Sequence, residues 1–311
     1  MNYRQNKKYY LKVVLTQFYS VPYYMVMVAL LFCFSCSRFE WVRDPYTLYV
    51  HLSAEPGHLN PITSTEAIAS SINTYIYETL LDRDYDTLEL KPLLASKWEI
   101  SSDKLHYRFY LKKNIRWSDG KPFTADDIVY SFHVIKDPKV ANAPLKVYYI
   151  DVVSVKKISP YIVEFTYSRP YFLALEICGS IPVVPKHIFD DGTDFNTHKN
   201  NRHPIGTGPY TFSKWETGKR IELEINPLYW GKKPDIKKVV YKVIPEPSVA
   251  LQMLKKGEID VMSLRPIQWV RQTDSQHFKE AFYKFMYYQP YYSYIGWNAK
   301  NPLFNNKNVR K

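Results

Sequence analysis

The sequence predicts an α/β protein with mixed sheets. Three observations carry this reading. Short runs with apolar residues at every second position recur along the chain, as in His106-Tyr107-Arg108-Phe109-Tyr110-Leu111. Between some of these runs lie segments with apolar residues at helical spacing, such as Ile68, Ile72 and Ile76. Between others lie only turn residues, so strands alternate with helices in places and with hairpins elsewhere. At 311 residues the chain has room for a large core in two domains or lobes.

A basic stretch with Arg4, Lys7, Lys8 and Lys12 and no acids precedes the apolar run from Val21 to Cys36. That is the n-region and h-region order of a secretory signal. The run is short for a spanning helix, which needs about 20 apolar residues. From Tyr46 to Leu52 the pattern alternates and is rich in β-formers, so a strand is expected, followed by the turn-rich loop "EPGHLNP" (55–61). A helix is expected over Glu66 to Leu81, with Ile68, Ile72, Ile76 and Leu80 on one face. Short strands follow at Trp98–Ile100 and His106–Leu111.

"IRWSDGKPFTADDIVYSF" (115–132) is the sharpest local signal. Asp119-Gly120 makes a tight turn. Thr124 caps a helix and Asp127 closes a capping box, while Asp126 and Asp127 favour the positive end of the helix dipole. Ile128, Phe132 and Ile135 give that helix its apolar face. Capping accounts for the two aspartates without catalytic chemistry. Val152–Lys157 and Tyr161–Tyr167 read as a strand pair joined at Ser159-Pro160, and Leu173–Ile177 as a short apolar segment. A small helix begins in Pro182–Phe189, Asp190–His203 is loop-like, and Ile221–Asn226 and Val239–Ile244 are strands. "PEPSVALQMLKKGEIDV" holds an amphipathic helix ended by Gly257, then a strand at Ile259–Met262.

The net charge is +12; without its first 36 residues the chain keeps 38 basic residues against 30 acidic. Acids and bases alternate with no long basic stripe, so a solvated basic surface is expected and no nucleic-acid partner. None of the phosphate-loop, dinucleotide, zinc-protease or nucleophile-elbow patterns occurs, so no enzyme, cofactor or metal is expected. The eight His are scattered; His187, His198 and His203 come nearest to a cluster without matching zinc-ligand spacing. Cys33 and Cys36 form a CxxC inside an apolar leader, and Cys178 is read as a small core residue.

The run Leu31-Phe32-Cys33-Phe34-Ser35-Cys36 resembles a bacterial lipobox, with Ser35 before a lipidated Cys36. Cys33 departs from the usual aliphatic residue at its position. Further stretches resemble the family 5 extracellular solute-binding proteins, the oligopeptide and dipeptide receptors of ABC importers. They are "EPGHLNP" (55–61), "IYETLLDRD" (76–84), "LKPLLASKWEIS" (90–101), "YRFYLKKNIRWSDGKPFTADDIVYSF" (107–132), "IGTGPYTFSKW" (205–215), "INPLYWGKKPDIKKVVYKVI" (225–244), "ALQMLKKGEIDVM" (250–262) and "YIGWNAKNPLFNNKNVRK" (294–311).

The resemblance implies a type II periplasmic-binding-protein-like fold of two lobes closing on an extended peptide. It divides the chain into a lipoprotein-type signal peptide (1–36), a first lobe (37–62 and 182–293) with an inserted subdomain (63–181), and the start of a second lobe (294–311). "NVRK" matches the start of a second-lobe helix, so that lobe is expected to be largely missing from this chain. Ligand-facing residues are expected at Thr65, Glu66 and Ala67, and at Tyr292 and Tyr294 near the hinge. Glu66 would meet a cationic ligand group or sit in the first turn of the following helix; Tyr292 and Tyr294 would face ligand or pack between lobes. The glycines of Gly206-Thr207-Gly208-Pro209-Tyr210 serve backbone geometry. The implied protein is an exported, membrane-anchored monomer at the periplasm or cell surface, partnered by a peptide or other small solute and by an importer permease. A receptor for nickel chelates, haem or oligosaccharides, or a non-transport surface protein, stands as the alternative.

Overall fold

The computed structural model describes residues 43–287 and 294–310. The chain divides into two compact units, residues 1–47 and 48–311. Of the first, a turn is described: the Asp44 carboxylate accepts the Tyr46 N–H at 3.1 Å and the Thr47 hydroxyl at 2.7 Å. The leader and Cys33 and Cys36 lie outside the described residues.

The second unit is built on two four-stranded sheets. Strands β4 (Ala95–Ile100), β5 (His106–Leu111), β6 (Val152–Ser159) and β7 (Ile162–Tyr167) pair antiparallel in the order β4-β5-β7-β6. Their residues alternate as the sequence predicts: Tyr107, Phe109 and Leu111 of β5 are buried, as are Val163, Phe165 and Tyr167 of β7. The register sets Tyr107 against Phe165 and Phe109 against Val163, and the Phe109 and Phe165 rings meet edge to face at 5.6 Å. Each such ring is worth about 1.5–3 kcal/mol of burial. The second sheet takes β1 (Thr47–Leu52), β8 (Tyr210–Glu216), β9 (Arg220–Ile225) and β10 (Lys238–Val243) in the order β1-β10-β9-β8. A two-stranded ribbon, β2 (Leu81–Arg83) and β3 (Leu90–Pro92), completes the sheets.

Helix α1 is Ala67–Ile76 and α2 is Ala125–Lys136. The Thr124 side chain accepts the Asp126 N–H at 3.3 Å and the Asp127 carboxylate accepts the Thr124 N–H at 2.9 Å, the capping box that the sequence predicts. Asp127 also accepts the Lys186 N–H at 2.9 Å, and burial pushes its carboxyl above the usual value. Three short helices follow: α3 (Ala143–Tyr148), α4 (Ala174–Gly179) and α5 (Lys186–Phe189). Cys178 on α4 is fully buried, as a core residue should be. Helix α6 (Pro247–Lys255) is capped by Glu246, and Gly257 turns left-handed (φ 72°) just past its end. With α7 (Gln276–Ala281) it builds a small second core around Leu251, Leu254, Ile259 and Phe278.

Several elements differ from expectation. The first helix stops at Ile76 and Leu81 already belongs to β2. The Ile76 carbonyl accepts the Gly208 N–H at 2.9 Å from a turn that presses on the helix end. The strand expected at Ile259–Met262 reduces to a parallel bridge of Val261 with Val50. The stretch Tyr210–Glu216, not expected as a strand, is β8.

Candidate functional site

Strands β1 and β10 end at one edge, where the Leu52 carbonyl accepts the Ile244 N–H at 2.8 Å. The loop leaving β1 there is the one that the sequence singles out. Pro56, Gly57 and Pro61 keep it out of regular structure, so its backbone groups need other partners.

Side chains supply them. Asn60 is fully buried; its Nδ2 donates to Asn201 Oδ1 at 2.8 Å, and its Oδ1 accepts the Ile62 N–H at 2.8 Å. Leu59 N–H donates to the Asn201 carbonyl at 2.7 Å. The Glu55 carboxylate accepts from the Trp215 indole N–H, the Gly218 N–H at 2.8 Å and the Arg202 guanidinium at 3.4 Å. Arg202 lies 3.8 Å over the Trp215 ring. Burial pushes the Glu55 carboxyl up, but the Trp215 and Gly218 donors and Arg202 outweigh it and hold the group below its usual range.

The crest of the loop is exposed. Thr65, Glu66 and Ala67 all face solvent, and Glu66 sits at the N-cap of α1 with extended backbone (φ −85°, ψ 128°). Its side chain does not cap the helix. It reaches back to accept the Gly57 N–H at 3.0 Å, next to His58, whose ring is pushed toward the neutral form by burial against the opposing pull of Glu66. The first N–H groups of α1 have no intrahelical acceptors, as at any helix start. The arrangement is a hydrogen-bonded base with an exposed crest, where extended backbone at Glu66 runs into the first residue of α1 at Ala67.

Three of the expected site residues are thus together. Tyr294 is 80% exposed in the segment 294–310, while Tyr292 and Cys36 lie outside the described residues. Among the glycines of the 206–210 turn, a Cβ on Gly206 would stand 1.8 Å from the Ile76 carbonyl oxygen, so this glycine serves close approach. Sequence reasoning did not reach Glu55, Asn60, Asn201, Arg202 and Trp215. Glu55-Pro56-Gly57 and Asn60-Pro61 signal a turn, but their partners lie about 140–160 residues away.

A cleft of about 580 Å³ opens beside the 216–220 turn, lined by Lys219, Arg220, Lys242, Pro245, Val249 and Met253 among others. Among the described residues no group of three or more His, Cys, Asp or Glu is placed to hold a metal ion, and no helix is long and apolar enough to cross a membrane. His187 Nε2 instead donates to the Asp119 carboxylate at 2.6 Å, and His198 Nε2 to the Asp191 carboxylate at 3.3 Å.

Residues 89–311 match the model of the bacterial extracellular solute-binding proteins, family 5, middle region. The oligopeptide-binding protein AppA of Bacillus subtilis is 32% identical over 273 residues, which are 85% of this chain and 48% of AppA. Among solved structures, AppA in complex with a nonapeptide aligns with a TM-score of 0.65 at 29% identity, covering 72% of this chain and 45% of that one. NikZ of Campylobacter jejuni in complex with Ni(L-His) aligns with a TM-score of 0.64 at 34% identity, covering 70% and 43%. The fold is that of the periplasmic binding proteins, and the chain spans about half the length of the relatives it matches.

Proposed function

The chain belongs to the bacterial extracellular solute-binding proteins of family 5, and on that premise we propose that it serves as a peptide receptor of an ABC importer, taking hold of the peptide backbone along the crest at Thr65, Glu66 and Ala67. The observation that carries this reading is the loop itself. Its base is fixed by Glu55, Asn60 and Glu66, while its crest is exposed, with extended backbone at Glu66 leading into the open N–H groups at the start of α1. A receptor for many peptides gains nothing from side-chain recognition; backbone hydrogen bonds give affinity and roomy, wet pockets tolerate the rest.

Within this reading, Glu66 acts as a support, since its carboxylate is engaged by Gly57, and Thr65 and Ala67 offer the backbone groups. Tyr292 and Tyr294 are proposed as aromatics near the hinge, and Cys36 as the lipid attachment point. Two lobes closing would exclude water from the peptide's hydrogen bonds and give the permease one closed shape to engage. The division into 37–62, 63–181, 182–293 and 294–311 accords with the sheets: β4 to β7 fall inside 63–181, and β8 to β10 inside 182–293. The receptor is proposed to be a monomer, exported and held at the membrane.

A second reading, a receptor for a metal chelate, draws on the 34% identity to NikZ, solved with Ni(L-His). Isothermal titration with trialanine and, in parallel, with nickel–histidine separates the two. The peptide reading expects heat from trialanine and none from the chelate; the reverse result replaces it with the chelate reading.

A further inference from the structure

Glu78 lies two residues beyond α1 and is buried, at 8% exposure. Its carboxylate accepts the Trp230 indole N–H at 2.8 Å on one oxygen and the Tyr229 hydroxyl at 3.0 Å on the other. Lys112, from the residue after β5, stands 4.0 Å over the Trp230 ring and pulls on the same carboxylate. The backbone closes around this cluster. Gly208 N–H donates to the Ile76 carbonyl at 2.9 Å, and the Asn226 side chain donates to the Gly208 carbonyl at 2.9 Å. Neither Gly206 nor Gly208 has space for a Cβ against the end of α1, at 1.8 Å and 2.6 Å from backbone oxygens.

We propose that Glu78 is the positioning residue of the exposed crest: it clamps the far end of α1 to the 205–208 turn and the 226–230 loop, and so sets where Thr65, Glu66 and Ala67 sit. This inference rests on reading that crest as the peptide-contacting surface. The chemistry requires a carboxylate. Two donors converge on Glu78, one on each oxygen, so an acceptor-only group satisfies both, whereas an amide of the same shape turns its NH₂ toward one of them. The clamp reaches the crest because α1 is a strut of 10 residues, fixed at its other end by the Glu66 bond to Gly57. Backbone recognition tolerates little tilt of such a strut, since hydrogen bonds weaken steeply once distance and angle leave their preferred range. The charged and titratable groups facing Glu78 are Lys112 and Tyr229. The cluster draws together four of the sequence stretches behind the family resemblance, 76–84, 107–132, 205–215 and 225–244.

The test is hydrogen exchange on the full chain, wild type against Glu78→Gln. Losing part of a charge-assisted network should speed exchange of amides 62–70 by roughly tenfold, with β5 and β7 left unchanged, and weaken trialanine binding by a similar factor. The pH profile of wild-type affinity should carry a bend from Glu78 ionisation, above the usual carboxylate range, that the Gln variant lacks, while any bend from His58 in the loop stays in both. Change confined to residues 205–208 and 226–230, or spread evenly over β5 and β7, would overturn the proposal. Should Glu78→Gln fail to fold, Trp230→Phe removes one donor and should give a smaller rise over 62–70; no rise there overturns it equally. Faster exchange at 62–70 in Glu78→Gln, together with a wild type that binds no trialanine, would uphold the positioning and sink the peptide reading.

Discussion

Two carboxylates, half-buried Glu55 and buried Glu78, respond to acid in opposite directions. Glu55 is held below its usual 4.5 because its donors and Arg202 outweigh burial. A depressed folded-state value means stability that is present above the unfolded value and lost as pH falls. Glu55→Gln should therefore lower Tm at pH 7 and cost progressively less below about pH 4.5. Glu78 is raised above 4.5, burial being the largest cause. Its contribution is full below the unfolded value and declines as pH rises through the folded one. The wild-type advantage in Tm over Glu78→Gln should narrow as pH rises through the raised folded value, a slope of opposite sign to Glu55→Gln, without vanishing, because the variant still turns an NH₂ toward the Trp230 or Tyr229 donor; scanning calorimetry across pH on both variants checks the pair. The capping box is simpler. Thr124→Ala should cost about 1 kcal/mol in urea unfolding at neutral pH.

At the scale of elements, what was legible depended on whether a signal is local. The Thr124–Asp127 capping box, the Asp119-Gly120 turn and the alternation of β5 and β7 are written within a few residues of where they act. The end of α1 is not. Ile68, Ile72, Ile76 and Leu80 keep a helical period, yet the chain leaves the helix at Tyr77 because Gly208 takes the Ile76 carbonyl from about 130 residues away. The same distance hid Glu55 and Asn60, whose partners Trp215 and Asn201 are far along the chain. The crest residues Thr65, Glu66 and Ala67 were legible only through family resemblance, since exposed polar residues carry no periodicity. Gly206 makes the long-range dependence measurable. Gly206→Ala puts a Cβ against the Ile76 carbonyl and should cost more than about 2 kcal/mol, well above an ordinary surface change; urea midpoints of both proteins decide it.

At the scale of the whole molecule, apolar side chains collect in the segment after the small second core. Tyr283 is 89% exposed and Phe285 67%, and Met286, Ile295, Leu303 and Val309 are also exposed. Apolar surface gathered in this way promotes association. Residues 37–311 produced alone should melt broadly and form oligomers in light scattering; a sharp cooperative melt of a monomer would refute this. Export and anchoring make a separate expectation: Cys36→Ala should release the protein from the membrane fraction, and unchanged association would remove the lipid anchor from the account. The central claim remains that the loop after β1 meets a peptide. Photo-crosslinking tests it most directly, using a short peptide that carries a benzophenone side chain and mapping the adducts by mass spectrometry. The account predicts adducts on residues 62–67 that excess trialanine suppresses. Adducts confined to the cleft beside Lys219 and Met253, or unaffected by trialanine, would contradict it.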